Sequence, residues 1–218
     1  MITMFQIYGR SPARQFDRLA WPGIPAVGGR MRIRLNDGTR MQIRPARPAD
    51  SDAVLAMHEK VSPASLFFRY LGARRPTRTE IERICRLNRG GGLALVATTA
   101  GRHPVVAGLA YLVLETDRLR ATAEPAIMVE DAFRGRGLGR RLFGRLCSLA
   151  RKKKISVLHT YVHGENRRML RILEGLGYPL VKRCHANMVE AEIVLDSDLS
   201  AWLPPELAGF GAAAAECG

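Results

Sequence analysis

The segment that most constrains the fold is residues 129–146, VEDAFRGRGLGRRLFGRL, in which glycine and arginine alternate just before an apolar helical stripe. Glycine is a poor helix former and arginine a good one, so the alternation indicates a loop followed by a helix. The stripe consists of leucines at helical spacing: Leu138, Leu142, Leu146 and Leu149. Gly135, Gly137 and Gly139 leave backbone N–H groups unobstructed at the positive end of that helix. The segment therefore predicts a strand, an anion-binding loop and a helix.

Two common nucleotide-binding motifs do not fit this loop. The dinucleotide fingerprint needs the spacing G-x-G-x-x-G and an acidic residue about twenty positions later. Here the spacing is Gly135-x-Gly137-x-Gly139, and Leu158 and His159 occupy the position of the acid. No Gly-Lys-Ser/Thr sequence follows, which excludes the Walker loop. A loop at a helix N-terminus still suits a pyrophosphate, and a plain tight turn is the alternative.

The rest of the chain alternates helical and strand-like segments. Apolar and polar residues alternate on both sides of Asn36-Asp37-Gly38, which predicts a β-hairpin. The other predicted strands are LALVATTA, VVAGLAYLVLE, AEPAIMVE, ISVLHTYV and MVEAEIVL, and the predicted helices begin near Pro48, Ser62, Thr79, Leu138 and Asn166. This order predicts an α+β fold, with a mixed, mostly antiparallel sheet flanked by helices and partly parallel around the glycine loop.

Composition and charge indicate which classes of ligand and which cellular environment to expect. The net charge of +14 predicts attraction to polyanions such as nucleic acid or phosphorylated cofactors. The four cysteines show no metal-binding spacing, so we expect no metal and a reducing, cytoplasmic environment. No apolar run is long enough to span a bilayer, so no membrane association is expected. We expect a loosely ordered arm over residues 1–30, one domain over 31–198 and a tail over 199–218. The first element of the domain is a hairpin strand at 31–35.

Two separated motifs resemble the GNAT superfamily of N-acetyltransferases. Arg134-x-x-Gly137-x-Gly139 matches the R/Q-x-x-G-x-G/A motif that cradles the pyrophosphate of coenzyme A in that family. Asn166 followed by MLRILEGLGY resembles a second family signature at the expected distance. A narrower resemblance, carried by IRPARPAD and SPASLFFRY, is to the catalytic domain of Pat-like bacterial protein lysine acetyltransferases. The resemblance covers about residues 40–196 and implies the GNAT fold, whose sheet is splayed at the cofactor site.

The same resemblance implies which residues meet acetyl-CoA, the expected cosubstrate. The end of the AEPAIMV strand would pair its backbone with the pantetheine arm and donate a backbone N–H near Val129 to the oxyanion. Asn166 is predicted to cap its helix, to contact the cofactor arm, or to do both. The complete set of predicted cofactor-binding residues is Met128, Val129, Arg134, Gly135, Arg136, Gly137, Leu138, Gly139, Arg140 and Asn166.

Amine acetylation also needs a base, because a free lysine side chain is protonated at neutral pH. Many GNAT members carry a glutamate at the start of the strand that precedes the glycine loop, and Glu124 occupies that position. We therefore predict Glu124 as the general base; a solvated strand-end glutamate is the alternative. Pro125 lacks a backbone donor, so we expect a bulge beside Glu124, which would leave the base role to Glu130 or to water. His58 and His159 lie in apolar runs and are predicted to be structural.

The sequence thus predicts an acetyl-CoA-dependent N-acetyltransferase that transfers an acetyl group to a primary amine by direct attack. The Pat-like resemblance favours a protein lysine, for example of an acyl-CoA synthetase. A small-molecule amine acetyltransferase is the first alternative, with the aromatic helix at 62–71 closing a pocket. A non-catalytic acyl-CoA or nucleic-acid binding protein is the second, because the net charge alone would support binding.

Overall fold

The structure is a computed structural model that describes residues 29–115 and 121–196; most of the predicted arm and all of the predicted tail lie outside these residues. Its eight strands form one sheet in the order β1-β2-β3-β4-β5-β6-β8-β7. Their bounds are β1 Met31–Arg34, β2 Arg40–Pro45, β3 Gly92–Thr99, β4 Val106–Glu115, β5 Thr122–Val129, β6 Val157–His163, β7 Leu180–His185 and β8 Met188–Val194. All neighbouring strands are antiparallel except β5 and β6, which confirms the predicted α+β class with a mixed sheet.

In the described part of the chain, five α-helices cover the sheet. Their bounds are α1 Ser51–Glu59, α2 Pro63–Tyr70, α3 Arg78–Arg86, α4 Leu138–Lys152 and α5 Arg167–Glu174. Every predicted helix is present, and the ends follow local chemistry: Pro63 opens α2, and Thr77 forms a capping box with Glu80 at the start of α3. In the part of the chain that the structure describes, no helix is both long enough and apolar enough to cross a bilayer.

Apolar side chains pack against both faces of the sheet. On one face, the leucine stripe of α4 is completely buried together with Phe143, against residues such as Leu95, Leu112 and Leu158. On the other face, α1, α2 and α3 bury Val54, Leu66 and Ile81 against Leu109 and Ala126. Because side chains alternate along a strand, each central strand contributes residues to both cores. The sheet is therefore the middle layer of three.

The parallel contact between β5 and β6 is short. Among the described residues, the pairing consists of Thr122 with Val157 and Ala123 with Leu158, after which the two strands separate. The bulge predicted at Pro125 is wrong: Pro125 pairs with Leu112 of β4 in unbroken register. Since pairing with β6 ends at Ala123, the N–H that Pro125 lacks costs no hydrogen bond on that side. The backbone that follows Pro125 therefore borders a gap between two strands of the same sheet.

Candidate active site

The glycine loop lies at the end of β5, where the gap opens. Gly135 and Gly137 have φ values of +70° and +85°, a region that side chains other than glycine rarely adopt. Gly137 is the N-cap of α4, so the first turn of that helix directs its backbone N–H groups toward the loop. This geometry is the one that the glycine spacing predicts for an anion cradle.

The hairpin turn between β1 and β2 supports one side of the loop. The Asn36 N–H donates to the Arg136 carbonyl over 3.1 Å, and the Arg136 guanidinium lies 2.8 Å from the Asp37 carboxylate. In a trans peptide the carbonyl and the next N–H point in opposite directions, and no described peptide bond is cis. The Gly137 N–H therefore points away from the hairpin. The hairpin thus helps to orient one of the amides that the cradle would use.

The side chain of Arg134 connects the glycine loop to the elements around it. Its Nε donates to the Val129 carbonyl over 3.1 Å, its guanidinium lies 2.9 Å from Asp131, and it also donates to the Ser65 hydroxyl of α2. Burial lowers the pKa of Arg134, Asp131 opposes that shift and the positive charge of Arg168 adds to it. Arg134 therefore connects the end of β5, the loop and α2, and these contacts with described residues are structural.

The helix α5 lies along the opposite side of the loop. A Cβ on Gly139 would be 3.0 Å from the Ile172 side chain, and a Cβ on Gly175 would be 3.6 Å from the Arg140 guanidinium. Asn166 caps α5, because its side chain accepts from the Met169 N–H over 3.2 Å. The capping alternative for Asn166 is therefore present, and a contact with the cofactor arm stays a prediction. Together, α5 and the hairpin turn flank the predicted cradle.

Glu124 lies on the sheet face that α2 covers, next to the gap. Its side chain points to the same face as those of Ala126 and Met128, which pack in the core beneath α1, α2 and α3. Burial raises the pKa of Glu124, and the charge of Glu115 raises it further, whereas Arg69 and His159 oppose the shift. A carboxyl group with a raised pKa is a better proton acceptor than an exposed one, which suits a general base.

Aromatic residues border the same face of the gap. His163, near the end of β6, contacts the Phe67 and Phe68 rings of α2 at centroid distances of 5.7 and 5.6 Å. Phe67 and Tyr161 stay 42% and 44% exposed, so α2 forms a rim beside the gap and leaves these rings accessible. Arg69 of α2 donates to the Tyr111 hydroxyl and stacks over its ring, which fixes that charge on the Glu124 face.

The structure brings the predicted residues together in part. The loop residues and the end of β5 are neighbours, and Glu124 lies on the same strand. The predicted alternative base Glu130 is buried at the end of β5, and its Oε2 has no hydrogen-bond partner in the described part of the chain. The sequence placed Asn36 in a hairpin turn but did not predict that Asn36, Glu115 or Glu190 lies at the site. Their positions depend on strand register and on a hairpin contact, for which the local sequence carries no motif.

Known proteins share this architecture. The family described as Acetyltransferase (GNAT) domain matches residues 40–179. The acetyltransferase Pat of Mycolicibacterium smegmatis is 26% identical over 145 residues, which are 66% of this chain and 43% of that protein, so the chain spans less than half the length of this curated relative.

Solved structures agree on the fold. The GNAT domain of S. lividans PAT superposes with a TM-score of 0.67 at 22% identity and covers 76% of this chain and 96% of its own. The Salmonella typhimurium protein yncA, solved with its cofactor acetyl-CoA, gives 0.59 at 22% identity and covers 72% and 95%.

The fold of this chain is therefore that of GNAT-domain structures. This chain belongs to the GNAT acetyltransferase family. The resemblance inferred from the two sequence motifs is therefore confirmed, and so is the enzyme class. Acetyl-CoA is the cosubstrate expected of an acetyltransferase of this family.

Proposed function

We propose that this chain transfers the acetyl group of acetyl-CoA to the side-chain amine of a protein lysine, with Glu124 as the general base. One observation carries the proposal: the β5 backbone leaves β6 after Ala123, with the glycine loop at one end of the gap and Glu124 near the other. Such a gap can hold an extended cofactor arm between a phosphate site and a base. Bound acetyl-CoA supplies the activated acetyl thioester.

The loop residues fit the phosphates of acetyl-CoA. The positive φ of Gly135 comes with open space, since no described atom lies within 4 Å of a Cβ built there. The Gly137 N–H points away from the hairpin turn, and Gly139 lies in the first turn of α4. We assign the pyrophosphate to these backbone N–H groups, with Arg136, Leu138 and Arg140 around them and the pantetheine arm along Met128 and Val129.

The acceptor nitrogen must lose one proton before it attacks and a second as the amide forms, and the second passes to the departing thiolate or to water. A lysine ammonium has an ordinary pKa of about 10.4, so its proton must leave before the nitrogen can attack a carbonyl carbon. We assign Glu124 to accept that proton, directly or through one water. The backbone N–H near Val129 would then stabilise the oxyanion, and Asn166 would hold the start of α5 beside the cofactor arm. The deprotonated coenzyme A thiol leaves without a dedicated acid, because its pKa is near that of cysteine.

A protein acceptor suits the rim of the gap better than a small amine does. The exposed rings of Phe67 and Tyr161 border the site, whereas a closed pocket would bury them. Exposed aromatic residues are enriched at protein interfaces, where they contribute much of the binding energy. Glu124 lies on the same face of the sheet as these rings, so a lysine of a protein bound at the rim would approach the proposed base.

Labelled acetyl-CoA tests the assignment directly. The purified protein is incubated with radiolabelled acetyl-CoA and cell extract, and the labelled species are separated by size and identified by mass spectrometry. Label on lysine side chains of one or a few proteins, lost with the Glu124→Gln variant, supports the proposal. Label confined to small amines would show that the acceptor is a small molecule and not a protein lysine. The absence of any enzyme-dependent label would contradict the proposed acetyltransferase activity.

A further inference from the structure

A row of charged side chains crosses the sheet on the face that carries Glu124. The parallel pairing of Ala123 with Leu158 places Glu124 beside His159 on the next strand, since the following residues of both strands point to the same face. Val113 pairs with Glu124 on one side, and His159 pairs with Glu192 on the other. We call the set Glu115, Glu124, His159, Arg183, Glu190 and Glu192 the charged row.

His159 sits at the centre of the row between two carboxylates. Its ring is only 4% exposed, its Nδ1 is 3.3 Å from Glu115 Oε1 and its Nε2 is 2.9 Å from Glu190 Oε1. An ionised carboxylate can only accept hydrogen bonds, so a ring nitrogen that faces one must carry a proton. Two such contacts need two N–H groups, and only the imidazolium has both. The geometry therefore selects the positively charged form of His159.

The carboxylate of Glu190 is itself held in the ionised form. The Tyr161 hydroxyl donates to it over 3.3 Å, and the Arg183 guanidinium and the His185 ring lie 3.9 and 3.5 Å from its second oxygen. Although burial raises the pKa of Glu190, the hydrogen bond and charge of His159 lower it overall, with smaller contributions from Arg183 and Tyr161. The negative partner of His159 therefore persists, and it stabilises the imidazolium in return.

We propose that His159 is a positioning residue for the base: held as an imidazolium by Glu115 and Glu190, it keeps the neighbouring Glu124 carboxylate ionised and ready to take the acceptor proton. This inference rests on the proposed role of Glu124. Among the described residues, three charged groups face Glu124, namely Arg69 from α2, Glu115 from β4 and His159 from β6. Arg69 and His159 lower the pKa of Glu124 and so oppose the effect of burial. Of these two, His159 lies on the adjacent strand and is held by two carboxylates.

Removing the positive charge of His159 has a predictable consequence. Glu124 would lose a cation on the neighbouring strand, so its proton would be released at higher pH. One unit charge at about 6 Å, with an effective dielectric constant between about 20 and 80, moves a pKa by about 0.5–2 units. In His159→Gln, the acid limb of the pH–rate profile should move upward by that amount. His163 is a buried histidine on the same strand and face, and it contacts no carboxylate among the described residues. In His163→Gln the acid limb should therefore stay in place.

The protonation state of His159 can be read without any catalysis. Nitrogen-15 NMR of the imidazole rings in the full chain, assigned with His159→Gln, should show both His159 nitrogens protonated at pH 7.5. In Glu190→Gln one anionic acceptor is lost, so His159 should titrate at lower pH than in the unchanged protein. Thermal unfolding checks that each variant folds; if His159→Gln does not, Glu190→Gln takes its place in the pH–rate test, because it weakens the imidazolium while the ring stays in place.

The outcomes separate this inference from the proposed function. A neutral His159 ring at pH 7.5, or an acid limb that stays in place in folded His159→Gln, overturns the role of His159. If Glu124→Gln keeps the acid limb while His159 is protonated, Glu124 is not the base and the proposed function fails in that part. A protonated ring together with a shifted limb supports both.

Discussion

The two ends of β5 are expected to contact acetyl-CoA and the acceptor amine through different chemical groups. At its end, the glycine loop offers backbone N–H groups, and side chains matter there chiefly because glycine leaves the approach open. Near its start, the proposed roles of Glu124 and of His159 on the adjacent strand depend on charge, and the backbone only sets their register. A backbone site is broken by adding atoms, whereas a charged site is broken by an isosteric change that removes a charge. Substitutions of these two kinds should therefore separate cofactor binding from proton transfer.

The largest expected effect is on turnover in Glu124→Gln. Glutamine keeps the shape but cannot accept the proton, and a general base contributes about 10²–10⁴-fold to the rate. Burial, aided by Glu115, raises the pKa of Glu124, so the rate of the unchanged protein should rise with pH as that carboxyl ionises. The variant should lose this acid limb and keep its affinity for acetyl-CoA. Stopped-time assays across pH with one lysine peptide measure both.

Glu130→Gln is the matched control for that experiment, because Glu130 is a buried glutamate directly after the end of β5. It should keep the acid limb and most of the turnover. The reverse result, with Glu124→Gln active and Glu130→Gln inactive, would move the base to the other end of the strand.

A smaller loss, of acetyl-CoA affinity, is expected in Gly137→Val. A β-branched residue at φ +85° is strained, and its Cβ would lie 3.0 Å from the Asn36 side chain, so the loop must shift. We expect the dissociation constant measured by calorimetry to rise about tenfold or more, which corresponds to about 1.4 kcal/mol or more. The remaining turnover at saturating acetyl-CoA should keep the acid limb of the unchanged protein.

Gly177→Val controls for backbone strain, because Gly177 has a similar φ of +76° after α5 with nothing within 4 Å of its Cβ position. It should lower the unfolding temperature and leave the affinity unchanged. Equal losses of affinity in the two variants would mean that general strain, and not the cradle, explains the result.

The smallest of the three effects is expected in Arg134→Lys. Lysine keeps the charge but cannot reach Val129, Ser65 and Asp131 at once with a planar fork. A lost hydrogen bond to a charged group costs about 1.5–3 kcal/mol, so the midpoint of thermal unfolding should fall by several degrees. We expect acetyl-CoA affinity to fall only several-fold, because the loop loosens but keeps its amides.

Arg136→Lys is the neighbouring control, since the Arg136–Asp37 pair is exposed and worth about 0–1 kcal/mol. It should leave the unfolding midpoint nearly unchanged. An Arg134→Lys variant as stable as Arg136→Lys would contradict the bracing role of Arg134.

Much of this fold could be read from the sequence, because the relevant signals are local. The leucine stripe of α4, the Asn36-Asp37-Gly38 turn and the glycine loop each specify their own conformation. The strand β7 was not singled out, since its hairpin with β8 turns at Ala186-Asn187, where the positive φ of +52° falls on the alanine and no glycine marks the turn. The backbone half of the site was predictable for the same local reason.

The charged half of the site was less predictable. Glu115, His159 and Glu190 come from three strands, and only the register brings them into contact. His159 lies in an apolar run, so the sequence predicted a structural ring. The register places it on the opposite face from Leu158, among carboxylates. The expected distortion at Pro125 is wrong because the strand beside it has already ended its pairing.

A crystal structure with bound coenzyme A tests the central claim most directly, because it locates the cofactor relative to both ends of β5. We predict pyrophosphate oxygens about 3 Å from the N–H groups of Gly135, Gly137 and Gly139. We also predict the pantetheine arm in the gap between β5 and β6, with the sulfur on the side of the sheet that carries Glu124. A pyrophosphate bound elsewhere on the basic surface, or a sulfur on the opposite face from Glu124, would contradict this claim.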